Sequence, residues 1–142
     1  MLAQGGAPPW EWISVLIFLG CLFFIPIGQL VIRLAKRGAA GRLDRHGPAG
    51  IRTKNTRVSD ETWVAAHRAG LDNSVLGGRL LKWSGVAAAA LGLLIGYGDP
   101  TRTVIAWGLA ISMLPLLAVV PLFRATMEGD RAAKAILDGA TS

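Results

Sequence analysis

Cysteine, histidine and charge are all scarce in this chain. Of its 142 residues, one is Cys and two are His, and Asp, Glu, Lys and Arg together make up 17%. A lone Cys21 cannot form an internal disulfide, and within an apolar run it reads as a small hydrophobe. His46 and His67 stand twenty-one residues apart with no cysteine in between, which excludes the ligand spacings of a zinc site. The GxxxxGK[ST] pattern of a phosphate-cradling loop is missing. No nucleophile has a dedicated base, and the one adjacent pair of carboxylates, Asp60 and Glu61, is placed to start a helix. Neither catalysis nor a metal or cofactor is therefore expected. The first twelve residues hold Glu11 and no Lys or Arg, so the basic segment of a signal peptide is absent. Leu19-Gly20-Cys21 resembles a lipoprotein cleavage box only faintly, because apolar residues continue to Ile32.

What the chain has in quantity is apolar length. Hydrophobic residues reach 52% and the mean hydropathy is +0.46, more than a water-facing surface of this size accommodates. Ile13 to Ile32 and Val104 to Phe123 are each twenty residues without a charge. At about 1.5 Å rise per residue, each matches a hydrocarbon core about 30 Å thick. Leu80 to Tyr97 is a third apolar stretch, with Lys82 near enough to its start to snorkel beside Trp83. Trp10 and Trp12 precede the first span, where aromatic rings favour the headgroup region. Pro26, Pro115 and Pro121 fall inside spans, where the last two are expected to bend the helix. Gly98-Asp99-Pro100-Thr101 makes a tight turn, so the second and third spans form a hairpin. No span carries an ionisable residue near its middle to mark an ion path.

The expected fold is an all-α membrane protein in a single domain. It has three transmembrane helices, at about 13–34, 76–97 and 103–123, a basic loop over 33–79 and a tail over 124–142. Eleven of the fifteen Lys and Arg lie from Arg33 to Lys82 and none precedes Arg33. That bias places the N-terminus outside and both the loop and the tail inside, on the cytoplasmic face. It makes anionic lipid headgroups the expected partner of the charge, and nucleic acid not. Small residues at helical spacing, Gly85, Gly92 and Gly96 in one span and Gly108 and Ser112 in the next, suit close helix packing. They serve either the hairpin itself or a second membrane protein, a further copy of the chain included.

Within the loop a short helix is expected over about 59–69. Ser59 is the N-cap, Asp60 and Glu61 complement the positive end of the dipole, and Gly70 ends it. Trp63, Ala66, His67 and Gly70 fall on one side. Asp72-Asn73-Ser74 supplies caps for a helix starting near Val75. Ahead of these lies Gly50-Ile51-Arg52-Thr53-Lys54-Asn55-Thr56-Arg57, which offers backbone donors, hydroxyls and guanidinium to an anion such as a lipid phosphate or a peptide carboxylate.

Gly50-Ile51-Arg52-Thr53, Thr56, Trp63 and His67-Arg68 resemble the signature of the SdpI family of bacterial membrane proteins. That signature is G-I-R-T-x-x-T, an acidic helix start, and W-x-x-x-[HN]-R. Gly77-Gly78-Arg79 before a Gly- and Ala-rich span is similar to the family's next segment, so the resemblance runs from Arg45 to Tyr97. The family is named for an immunity protein that protects a bacterium from its own secreted killing peptide and holds a repressor at the membrane. The chain departs from that pattern at His46, where Asn is frequent, and lacks the immunity protein's additional N-terminal membrane region. The resemblance implies an immunity, sensing or envelope-related role in which the loop docks a partner or lipid headgroup. Gly50, Ile51, Arg52, Thr53, Thr56, Trp63 and His67 are the candidate residues, with Arg52 meeting an anionic group and Trp63 acting as apolar anchor or as a plug against the helix ends. The competing expectation is an accessory subunit of a larger membrane complex, which the small-residue faces would also suit.

Overall fold

The computed structural model describes residues 9–95 and 99–140, and among these every regular element is helical. The first apolar run forms α1, Pro9–Ala39, longer at both ends than the run itself. A proline suits the first turn because its missing N–H has no partner there. The helix stops in a Schellman arrangement: the Arg42 N–H reaches Arg37 O at 2.8 Å and the Gly41 N–H reaches Gly38 O at 3.0 Å. Gly41 takes the left-handed conformation this ending requires, with φ +69°. After the loop come α2, Asp60–Ala69, and α3, Leu71–Ile95. The last apolar run becomes α4, Pro100–Met113, a 3₁₀ segment, Leu114–Ala118, and α5, Val119–Gly139.

Three helical paths are long and apolar enough to cross a membrane, so the three-span, all-α expectation stands. Several boundaries differ from it. The second span's helix starts at Leu71 rather than near 76, because Gly70 ends α2 and also receives the first hydrogen bond of α3, from the Ser74 N–H at 2.9 Å. No loop separates the two helices. Residues expected to form a tail are mostly helix: the third path runs 39 residues, Thr101–Gly139, or about 58 Å at 1.5 Å per residue. About half of it therefore extends beyond a 30 Å hydrocarbon core. At Pro115, where a bend was expected, the helix tightens into the 3₁₀ segment, in which a proline that cannot donate to an α-ladder is tolerated. Asp99 caps α4 by accepting from the Thr101 N–H at 2.9 Å and the Arg102 N–H at 3.2 Å.

The helices meet backbone to backbone. A Cβ on Gly28 would collide with Gly78 O and the Lys82 backbone, and one on Gly85 with Cys21 O, so α1 and α3 approach as closely as their main chains allow. Gly77, on the neighbouring face of α3, gives the same room to Leu122 of α5. Further along the bundle, Cys21, Ala88, Ala89 and Trp107 form the core. Trp107 lies in the space that a side chain on Gly92 would need and donates from its indole N–H to Ala89 O at 3.2 Å. Leu16, Phe23, Leu94, Leu109 and Phe123 point outward and are exposed, as lipid-facing side chains are. Lys82 leans over the Trp83 ring, its Nζ 5.2 Å from the centroid.

Two of the expected packing residues do no packing within the chain. A Cβ on Gly108 would meet nothing within 4 Å, and Ser112 is exposed, its hydroxyl turned back onto Gly108 O at 2.7 Å. The reason is rotational: α4 turns Trp107, Ala110 and Ile111 toward the core, which leaves Gly108 and Ser112 on the outer side. Gly96, Tyr97, Gly98 and residues 1–8 lie outside the described residues, as does the side chain of Trp10.

Candidate functional site

The loop is a folded assembly seated on the end of the bundle. Its frame is α2, which Ser59 starts through a reciprocal capping box. The Thr62 N–H donates to Ser59 Oγ at 3.1 Å and the Ser59 N–H to Thr62 Oγ1 at 3.0 Å, with Thr62 in the position where Glu or Gln is usual. The side of α2 expected to be shared by Trp63, Ala66, His67 and Gly70 is its buried side. It packs on α5, where Ala125, Gly129 and Ala133 recur every fourth residue and are buried. A Cβ on Gly129 would come within 2.9 Å of Ala66 O, and one on Gly70 within 2.6 Å of Ala125 O. Ile51 from the loop wedges its side chain between these two glycines.

His67 organises the turn at Gly50-Ile51. The Ile51 N–H donates to Nε2 at 3.0 Å, and the opposite ring nitrogen, Nδ1, lies 2.8 Å from Trp63 O. Both contacts are satisfied only by a neutral ring with its proton on Nδ1. Burial of the ring pushes its pKa below the ordinary 6.5, and the bond to the Trp63 carbonyl opposes this in part. Trp63 packs against it with centroids 4.4 Å apart and donates its indole N–H to Leu43 O at 2.9 Å. Gly50, at φ +115°, is where the chain turns over these rings. A Cβ there would sit 2.6 Å from His67 Nε2 and 2.8 Å from Trp63 Cη2. On the far side, Gly38 of α1 leaves room for the same imidazole.

The threonines tie the next turn. Thr56 Oγ1 donates to Ile51 O at 2.9 Å and accepts from the Thr53 N–H at 2.9 Å. Thr53 in turn donates its hydroxyl to Asp130 Oδ1 of α5, and Asn55 Nδ2 donates to both oxygens of that carboxylate, at 3.1 and 3.2 Å. Nearby, Asn73 of α3 donates to Glu128 at 2.8 Å, and Arg68 of α2 donates to Ala39 O at 3.1 Å. The loop is thus bonded to α2 and α5, while α2 is tied to α1 and α3 to α5 at the same end.

The structure divides the candidate residues by access. Thr56 is 0% exposed and Trp63 2%, so both hold the loop together from inside and neither presents itself to a partner. Trp63 is the plug rather than the surface anchor. His67 is buried as well, and Ile51 and Thr53 are partly covered. Arg52 is exposed and makes no hydrogen bond or ion pair among the described residues. It borders a recess of about 260 Å³ walled by Val31, Leu34 and Ala35 of α1, Ser74 of α3, and Leu122 and Ala125 of α5. Among the described residues no group of three or more His, Cys, Asp or Glu is placed to hold a metal ion.

Sequence reasoning missed Asp130, Gly129 and Gly38 as parts of this contact network. The spacing of Ala125, Gly129 and Ala133 was the available signal for a second buried helix face. A sequence model described as the SdpI/YfhL protein family matches residues 42–123, more than half the chain. The match begins just ahead of Arg45 and extends past Tyr97 through the third span, further than the motif alone reached. No curated protein and no solved structure matches.

Proposed function

The chain belongs to the SdpI/YfhL protein family, and from that premise we propose that it has an immunity, sensing or envelope-related role, exercised by recognising an anionic group at Arg52. It is an SdpI-like membrane protein, and the remainder of the reading rests on the site. The observation that carries it is that Arg52 is the one charged residue lining the recess. It stands on a turn that His67, Thr56 and Asp130 hold rigid. A guanidinium presents five donors in a planar fork that fits carboxylate or phosphate. His67 has both ring nitrogens engaged, which favours binding over proton-transfer chemistry, so this reading includes no catalysis. The run of Lys and Arg from Arg33 to Lys82 supports a bacterial cell membrane with the N-terminus outside and the loop facing the cytoplasm.

The test is survival of a deletion strain challenged with secreted membrane-active peptides and complemented with the wild type or Arg52→Ala. The variant is expected to lose protection at unchanged membrane abundance. A parallel fall in abundance would make Arg52 structural and remove the basis for recognition.

A second reading, an accessory subunit, is favoured by the outward placement of Gly108 and Ser112. Small residues let another helix approach closely in lipid. Mass spectrometry after solubilisation in mild detergent separates the two: a stoichiometric large membrane partner supports the subunit, and a lone chain or homodimer opposes it.

A further inference from the structure

Resting on the reading of Arg52 as an anion-binding residue, we propose that the recess takes one anionic phospholipid from the surrounding bilayer, its phosphate on Arg52 and its glycerol and upper acyl carbons against Val31, Leu34 and Leu122. Four observations lead there. The recess lies where the spans leave the membrane: Leu34 follows Arg33, the first charge after the α1 apolar run, and Leu122 lies two residues before Arg124, the first charge after the last one. A ligand at that level has its head in the polar zone and its chain in hydrocarbon.

The lining also has one sign. Arg52 is its only charged residue, no carboxylate borders it, and burial keeps His67 neutral. An anion therefore meets no opposing charge, and a zwitterionic head would leave its cationic group without a partner. Size gives the third constraint. At about 260 Å³ the recess is below the range of roughly 300–1,000 Å³ that encloses a whole small ligand. It holds part of a molecule whose remainder stays in the bilayer.

Finally, Leu34 is shared with a neighbouring recess formed with Leu30, Arg33, Lys36 and Arg37. The three basic side chains there are exposed and make no ion pair among the described residues. They raise the local concentration of anionic lipid beside the first recess, as a basic juxtamembrane cluster does. A free peptide carboxylate would satisfy Arg52 but gives no reason for the aliphatic walls to stand at bilayer level.

The test uses the full chain purified in a neutral detergent with equal amounts of phosphatidylglycerol and phosphatidylcholine, followed by native mass spectrometry. One phosphatidylglycerol per chain should survive activation that strips phosphatidylcholine. Arg52→Gln should reduce that retention at least tenfold, while Arg57→Gln, at an exposed arginine of the same loop outside the recess, should retain it. The same lipid should raise the melting temperature of the wild type and not that of Arg52→Gln, which alters an exposed side chain and leaves folding intact. Equal loss in both variants would mean a diffuse basic surface and would overturn the proposal. So would full competition by the deacylated headgroup, which would identify a soluble phosphate as the ligand. If Arg52→Ala abolishes protection in culture while Arg52→Gln retains lipid normally, the lipid proposal falls and the anion reading stands. Loss of lipid with protection intact leaves the lipid proposal standing and removes the protective role assigned to Arg52.

Discussion

Gly50→Ala is the sharpest perturbation of the motif loop. Two costs combine at this position. The backbone at φ +115° is one that L side chains rarely adopt, and holding a residue in such a region costs about 1–3 kcal/mol. The added methyl would also stand 2.6 Å from His67 Nε2 and 2.8 Å from Trp63 Cη2, an overpacking worth a further ~1–3 kcal/mol. The rings cannot easily yield, since Trp63 is bonded to Leu43 O and His67 to Ile51 and to its own helix. At 1.4 kcal/mol per tenfold, even a total of about 2 kcal/mol raises the open population of the loop roughly 30-fold. Limited trypsinolysis reads that population directly, because Arg52, Lys54 and Arg57 are exposed in sequence around the turn and cleavage follows local opening. The expected result is cleavage in this segment at least about 30-fold faster than in the wild type. Gly108→Ala should change nothing, since a methyl there meets no atom within 4 Å. A wild-type cleavage rate in Gly50→Ala would refute the claim that Gly50 is held between the rings.

Acid should loosen the same turn. The folded pKa of His67 lies below the 6.5 of the free side chain, so the unfolded loop binds the proton more readily. Its stability is then full above about pH 6.5 and falls as the pH drops below that value toward the lower folded pKa. The protection of the Ile51 amide, its exchange rate relative to the intrinsic rate at each pH, should fall over that range, and His67→Phe should remove this pH dependence while leaving protection low throughout. Asp130→Ala takes the acceptor from Thr53 and Asn55. Hydrogen bonds to a charged group are worth about 1.5–3 kcal/mol, and less at this half-buried site, so tryptic opening near Lys54 should rise about tenfold. Unchanged cleavage would show that α5 does not clasp the loop.

The spans were legible because their signal is length without charge: Ile13–Ile32 and Val104–Phe123 need no tertiary information. The short helix was legible for a similar reason, since Ser59, Asp60, Glu61 and Gly70 are local instructions. Less accessible were contacts between segments far apart in sequence. Asp130 lies 77 residues from Thr53, and an aspartate on a polar helix reads as solvated until its partner is known. Gly50 and Trp63 were recognised as a motif, but whether a tryptophan faces outward or plugs the interior depends on which helices surround it. Gly108 and Ser112 show the same limit in reverse, because a small-residue stripe marks a face without saying whether the neighbour belongs to the same chain.

The grip of α5 on the loop also orders events during synthesis. Residues 50–70 are made, and sit beside the membrane, well before Ala125, Gly129 and Asp130 exist to hold them. Until the last span has been threaded, Ile51 has no glycine pair to wedge between, and Thr53 has no carboxylate. A competent loop therefore reports that all three crossings are in place. A chain stalled after two would display an open, protease-sensitive segment to the quality-control machinery rather than a half-folded loop.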